Sequence, residues 1–391
     1  MSTLNHYVPI LKWKRAERSA LQALGDKQKN TVIPLIELVM PTVPHDRMEG
    51  GTKNRNRVRK TDQEIFAEMI QKFKDKRVKE IPEEILRSWG TSPLFLDFTL
   101  LHEAERTTQL KIDSLNRIVP VGMGIGLKII PVLNLNDDLQ IKKTIASLFK
   151  KYDQGICLRV ASSDLTDTGT LNKKIEAFLN DFNISRKNTD LLIDIKDDKG
   201  NGGQYLKCIN VSQKIEGLSE WRRFIFASGA FPETLSKCFF DVPNYLSRFD
   251  WQNWVRHVKG KTLARDPIFA DYTIRTPIFN EALQYYNASP SIKYALEDEW
   301  LILRGKVHQN EHYLANAKLL VEDMTESFYG EGFSWGDKNI ALKAKYFHQY
   351  VVGVRDGEID KGKGTGGSTD WIAWGINHHL ILVLNQLANF P

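Results

Sequence analysis

The chain has 391 residues, 42% of them hydrophobic, which is ample for a sizeable core and allows one to three domains. Its net charge of +6 permits an anionic partner without demanding one. No run reaches the ~18 apolar residues of a membrane span, and the opening MSTLNHYVPILKWKR lacks the apolar core of a signal peptide. The three cysteines, Cys157, Cys208 and Cys238, are widely spaced with no CxxC, which argues against a disulfide framework or a zinc site. These features point to a cytoplasmic protein with no membrane partner.

The first strand is expected from Tyr7 to Trp13, followed by the helical spacing of RAERSALQAL, which ends at Gly25. TVIPLIELV reads as the second strand. A long connection from Pro41 to about Asp62 follows, and Thr61 or Asp62 opens the helix DQEIFAEMIQKFKDKR. PLFLDFT, GLKIIPVLNLN, GICLRVA, DLLIDIKD, RRFIFASG and PIFADYTIR are the remaining strands, with helical stretches between most of them. VPNYLSRFDWQNWVRHV, before the last of these, reads as mostly helical. Strands that are apolar on both faces suit a parallel sheet covered by helices. The fold class is therefore α/β: a (β/α)8 TIM-barrel-like domain over residues 1–290, with a doubly wound open sheet as the competing topology. Residues 291–391 read as a hairpin and helical extension packed on the barrel. SIKYALEDEWLILRG supplies the hairpin, turning at Glu297, Asp298 and Glu299, and WIAWGINHHLILVLNQLANF supplies a last apolar helix that Asp370 could cap.

Five apolar runs each carry one charge where a hydrophobe is expected: Glu37, Asp97, Arg159, Asp194 and Asp271. A charge facing the helix layer of a barrel would be buried without water, so all five are expected to point inward, late in their strands, at the carboxyl-end mouth where sites of this fold lie. Lys12 and Lys14, two apart, are expected to share one face and join them. Buried charges must be paired or bind a metal. One reading is a self-neutralising salt-bridge network. The other is a polar site in which Glu37, Asp97, Asp194 and Asp271 act as general acid and base or hold a divalent cation such as Mg²⁺, with Lys12, Lys14 and Arg159 binding phosphate. No DxD or HxH spacing supports a particular metal geometry. A two-carboxylate glycosidase is a third reading.

The connection after the second strand carries Arg47, Lys53, Arg55, Arg57, Arg59 and Lys60, with Gly50 and Gly51 letting it bend. On a barrel it overhangs the mouth, and a cationic flap there suits a phosphorylated or nucleic-acid ligand, with Arg55, Arg57 and Arg59 in contact. The same loop would equally serve as a solvated, partly disordered connection. GMGIG precedes a strand, the wrong context for a dinucleotide fingerprint, and KGNGGQ lacks the P-loop ending. His378 and His379 are adjacent on a helix and point about 100° apart; packing or hydrogen bonding is their expected role.

YVPILKWKRAERSAL with PLIELV, KYALEDEWLILRG, and FSWGDKNI with GINHHL together resemble the beta family proteins of tailed phages and bacterial genomes, over nearly the whole chain. In that family the tryptophan before the last helix is usually followed by arginine. Here Trp371 is followed by Ile372, which puts any role of that arginine in doubt. The resemblance brings no biochemical activity with it. It implies an accessory gene of phages or defence-associated islands, and so a role in phage–host conflict. Two functions follow as expectations: a mouth-of-barrel site that binds or hydrolyses a phosphorylated or nucleic-acid ligand, or a non-catalytic component that binds a protein or nucleic-acid partner.

Overall fold

A computed structural model describes residues 6–41, 46–48, 57–101, 108–279 and 289–389, with backbone alone at 46–48 and 57–59. In chain order the strands are β1 (Tyr7–Lys12), β2 (Leu35–Glu37), β3 (Asp46–Met48), β4 (Arg57–Arg59), β5 (Pro93–Asp97), β6 (Lys128–Asn134) and β7 (Ile156–Ala161). They continue with β8 (Thr189–Asp197), β9 (Arg223–Gly229), β10 (Pro243–Ser247), β11 (Ile268–Asp271), β12 (Ser291–Ala295) and β13 (Glu299–Arg304). The helices that position the site are α1 (Arg15–Gln22), α2 (Asp26–Lys29), α3 (Asp62–Lys72), α4 (Val78–Ser88), α5 (Thr108–Gly124) and α6 (Leu139–Tyr152). After them come α7 (Thr168–Phe182), α8 (Gly202–Ser212), α9 (Phe249–His257), α10 (His312–Lys318), α11 (Trp335–Arg355) and α12 (Ser368–Ala388).

The eight apolar runs, β1, β2, β5, β6, β7, β8, β9 and β11, pair in parallel and close into a barrel, β11 returning to β1. Alternation splits each strand between two cores. Ile10, Leu35, Phe95, Cys157, Leu192 and Ala270 fill the interior, while Leu11, Ile36, Leu96, Leu158 and Ile193 pack under the helices. Helix starts obey local chemistry. The Thr61 hydroxyl accepts from the Glu64 amide while the Glu64 carboxylate accepts the Thr61 amide at 2.8 Å, a capping box that opens α3. Asp138 caps α6 at the Gln140 amide, freeing Asp137 to bind buried Lys111 at 2.9 Å.

After the barrel, β12 and β13 form the expected hairpin, but the sheet has a third member. β10 pairs antiparallel with β13, giving the order β10-β13-β12. Residues 243–247 are thus strand, where a helix was expected; α9 begins only at Phe249. Tyr245 and Leu246 suit a strand edge, and pairing with β13 overrides the helical spacing that continues from α9. The long connection after β2 contains an antiparallel hairpin, β3 with β4, in the register Asp46↔Arg59 and Met48↔Arg57. Asp370 accepts the Gly367 amide at 3.0 Å from the third position of α12, with Gly367 itself at the cap.

The extension is locked to the barrel through the strings FSWGD and NHH. Asn377 accepts the Gly336 amide at 3.0 Å and donates to the Ala20 carbonyl at 3.1 Å, tying α11 and α12 to α1. Asp337 accepts from the Tyr294 hydroxyl at 2.6 Å and the Ser334 hydroxyl at 2.5 Å, and His378 Nδ1 lies 2.8 Å from its Oδ2. Gly336 touches the Trp374 backbone so closely that a Cβ would overlap the Trp374 carbonyl. Gly336→Ala is therefore expected to lower stability by about 1–3 kcal/mol, seen as a fall in Tm, while Gly332→Ala, which meets open space, leaves Tm unchanged.

Candidate functional site

Strand parity decides which charges meet. Lys12, Glu37, Asp97, Arg159, Asp194 and Tyr272 each follow by two an inward apolar residue: Ile10, Leu35, Phe95, Cys157, Leu192 and Ala270. All are buried, and all stand at the carboxyl ends of their strands. Parallel pairing sets Lys12 beside Glu37 and Glu37 beside Asp97.

Arg159 is the centre. Its Nη1 donates to Glu37 Oε1 at 3.0 Å and to Asp97 Oδ2 at 2.5 Å. Nε and Nη2 both donate to Asp194 Oδ2, at 2.9 and 2.5 Å, and Nη2 also reaches the Tyr272 hydroxyl at 2.8 Å. That hydroxyl donates onward to Asp194 Oδ2 at 2.7 Å. The far oxygens are held locally: Asp97 Oδ1 by the Thr99 hydroxyl and amide, Asp194 Oδ1 by the Lys196 amide at 2.9 Å. Glu37 Oε2 is buried without a partner among the described residues. Three carboxylates around one guanidinium leave an excess of negative charge, which Lys196 answers at 3.5 Å from both Glu37 and Asp194. Lys12 turns its ammonium to the Thr276 carbonyl at 2.8 Å. The two lysines flank the Tyr272 ring, at 5.5 and 5.2 Å from its centroid.

Burial raises the carboxyls, but the cations win. Lys196, Arg159 and Lys12 hold Glu37 below the usual range, Arg159 and Lys111 do so for Asp97, and Arg159 and Lys196 bring Asp194 to about 2. Burial, with Lys196 and Arg275 against Glu37, lowers Lys12 to about 8. Two residues at the rim adopt left-handed backbone, Lys196 (φ 57°) and β-branched Thr273 (φ 57°), a conformation that costs energy and is found most often at functional sites.

Asp271 does not belong to this set. It is in β11 but on the opposite parity, with outward-facing Phe269, and its carboxylate lies between barrel and extension. There it accepts from the Tyr7 hydroxyl at 2.5 Å, from the Thr273 amide at 2.9 Å, and pairs with His379 Nε2 at 2.7 Å. A charge on the helix-facing side is tolerated because α12 delivers a histidine to it. Lys14 is also displaced. β1 ends at Lys12, and Lys14 caps α1 with its ammonium 5.8 Å from the Phe279 centroid. Arg55 lies outside the described residues; Arg57 and Arg59 lie in β4, described in backbone only. Tyr272 and Lys196 are site members that the charge pattern did not single out. Lys196 was findable, since it follows Asp194 by two. Among the described residues no group of three or more His, Cys, Asp or Glu side chains could hold a metal ion. The acids that come together do so around Arg159, which takes one oxygen of each.

A closed parallel eight-stranded barrel with its polar residues gathered at the carboxyl-end mouth defines a (β/α)8 barrel protein. The family model described as Beta protein matches residues 7–385, and the chain belongs to that family. A search of curated proteins gave no match. Among solved structures, the chain is similar to tryptophan synthase from M. tuberculosis in an open form with BRD0059 bound, at 10% identity and a TM-score of 0.33, over 70% of this chain and 89% of that one. Among the described residues no helix is long and apolar enough to cross a membrane, and Cys157, Cys208 and Cys238 are free and buried.

Removing the central cation tests the network. Arg159→Ala takes the central cation from three buried carboxylates, leaving Lys196 beside two of them, and should cost about 3–5 kcal/mol at pH 7. The three acids have lowered folded values, so their stabilisation is present above pH ~4 and lost as pH falls toward about 2. The gap in Tm between wild type and variant should therefore narrow as pH falls from about 4 toward 2. A gap independent of pH would show that the charges do not hold this region together.

Proposed function

We propose that the protein binds a phosphate-bearing ligand at the barrel mouth, as a binding component rather than a metal-assisted hydrolase. The observation that carries this reading is the distribution of charge after Arg159 has been satisfied. Glu37, Asp97 and Asp194 are committed to the guanidinium, while Lys12 donates to a carbonyl and Lys196 stands half-exposed over the Tyr272 ring. An ammonium desolvated until it titrates near 8 is relieved by an arriving anion. Strained backbone at Lys196 and Thr273 supports a site at this rim. Hydrolysis by the four acids has little support, because three are neutralised in place and Asp271 lies elsewhere.

The ligand we favour is a nucleic-acid strand or its phosphorylated end. The paired strands β3 and β4 carry Arg47, Arg57 and Arg59 on the connection that leaves β2 next to Glu37, and the sequence between them holds Lys53 and Arg55. Such a ribbon would neutralise backbone phosphates. Together with the resemblance to phage and defence-island genes, it supports a role in phage–host conflict in the cytoplasm, where the three free cysteines would stay reduced.

The test is a set of calorimetric titrations with inorganic phosphate, a nucleotide and a short single-stranded oligonucleotide. Binding is expected for the wild type, with loss in Lys12→Ala and Lys196→Ala and no loss in Asp271→Asn. Affinity should fall as pH rises through about 8, where Lys12 loses its proton. If the oligonucleotide is the ligand, Arg55→Ala/Arg57→Ala/Arg59→Ala should weaken binding and flatten its salt dependence by a slope of up to ~2 for a single strand. No heat with any of the three ligands would overturn the reading.

A further inference from the structure

Glu37 has one acceptor more than the mouth has donors for it. The residue ends β2 on the inward parity of Leu35 and is 1% exposed. Its Oε1 takes Arg159 Nη1 at 3.0 Å and faces Lys196 at 3.5 Å, while Oε2 has no partner among the described residues. The donors around it are engaged elsewhere. A guanidinium has five N–H groups, and those of Arg159 go to Asp194 twice, to Glu37, to Asp97 and to the Tyr272 hydroxyl. The Tyr272 hydroxyl donates to Asp194, the Thr99 hydroxyl to Asp97, and the Asn134 amide to the Thr99 hydroxyl at 2.6 Å. Lys12, the register partner of Glu37, donates to the Thr276 carbonyl.

Burial raises the Glu37 carboxyl, but Lys196, Arg159 and Lys12 outweigh it and keep the group ionised at neutral pH. An ionised carboxylate can only accept. A buried acceptor of this kind reads a ligand's donors, because a ligand that displaces water from it without donating in turn loses affinity. Access runs past Lys196. Its side chain is 42% exposed, whereas Glu37, Asp97, Arg159 and Asp194 are buried. Its contacts with Glu37 and Asp194 are long, both 3.5 Å, and an arriving phosphate competes for the same ammonium. Phosphate at Lys196 brings the neighbouring atoms of the ligand to Glu37.

Building on phosphate binding at the mouth, we propose that Glu37 Oε2 accepts a hydrogen bond from a hydroxyl next to the bound phosphate, and that the ligand is RNA rather than DNA. In a nucleic-acid strand the sugar is what adjoins each phosphate, and its 2′-hydroxyl is the donor that RNA has and DNA lacks. Stacking has less to offer here, since both lysines lie over the Tyr272 ring, 5.5 and 5.2 Å from its centroid. Glu37 is in this reading a specificity-determining residue, and Lys12 and Lys196 supply the affinity for phosphate.

The experiment titrates the full chain calorimetrically with single-stranded oligomers of one length and sequence, built from uridine, 2′-deoxyuridine or 2′-O-methyluridine, with inorganic phosphate alongside. The ribose oligomer should bind at least ~10-fold tighter than the other two. The 2′-O-methyl form keeps the oxygen but has no proton to give, so it should group with the deoxy form. In Glu37→Gln the carboxamide oxygen stays with Arg159 and its NH2 group faces the ligand, so the ribose preference should shrink to about 2-fold or less. Should that variant fold poorly, the order of the three wild-type affinities decides alone. Equal binding of ribose and deoxyribose oligomers would sink this inference and leave phosphate binding at the mouth standing. So would a 2′-O-methyl oligomer that binds as well as the ribose form, or phosphate binding with no oligomer bound. No heat from the oligomers or from phosphate would remove both readings.

Discussion

The guanidinium of Arg159 is the constraint around which the mouth is built. From β7 it reaches across the barrel to β2, β5, β8 and the residue after β11, so one side chain ties strands that are not neighbours. Five N–H donors in a rigid fork can serve three carboxylates and a phenol at once; a lysine could not. The arrangement gives no large gain in stability, because desolvating these charges costs about as much as their pairing returns. Its effect is on arrangement. Each acid is fixed in place, and buried Lys12 and half-exposed Lys196 are left beside the Tyr272 ring.

A second buried polar cluster joins barrel and extension. Asp271 and Tyr7 meet His379 from α12, and Arg248, fully buried, donates to the carbonyls of Leu296 and Glu297 and to Gln386. Close by, burial and Asp271 push the carboxyl of Asp250 up to about 7, against the pull of Arg248. His378 presents its two nitrogens to Asp337 and the Ala295 carbonyl while stacking on Tyr294 at 3.9 Å. Adjacent histidines on one helix thus serve opposite neighbours, as their angular separation requires.

The barrel was legible in the sequence because parallel strands buried on both faces leave long apolar runs, and eight of them alternate with helical spacing. The convergence of Glu37, Asp97, Arg159 and Asp194 was legible because charges in such runs have only the interior to go to. Asp271 broke that rule. Its partner His379 lies 108 positions away, and the pattern within PIFADYT cannot reveal a counter-charge supplied by a distant helix. The same limit hid β10, which looks helical because α9 directly follows it and becomes strand only through β13.

The position of β10 has a topological consequence. This strand lies in the connection between β9 and β11, inside the barrel's own chain, yet it is hydrogen-bonded to a sheet completed about 55 residues later. The barrel and its extension are therefore interlaced, with neither simply appended to the other. Cutting the chain at the end of β11 would not release a self-sufficient barrel. It would leave a strand without a neighbour, Asp271 without its histidine, and Arg248 without the carbonyls it binds.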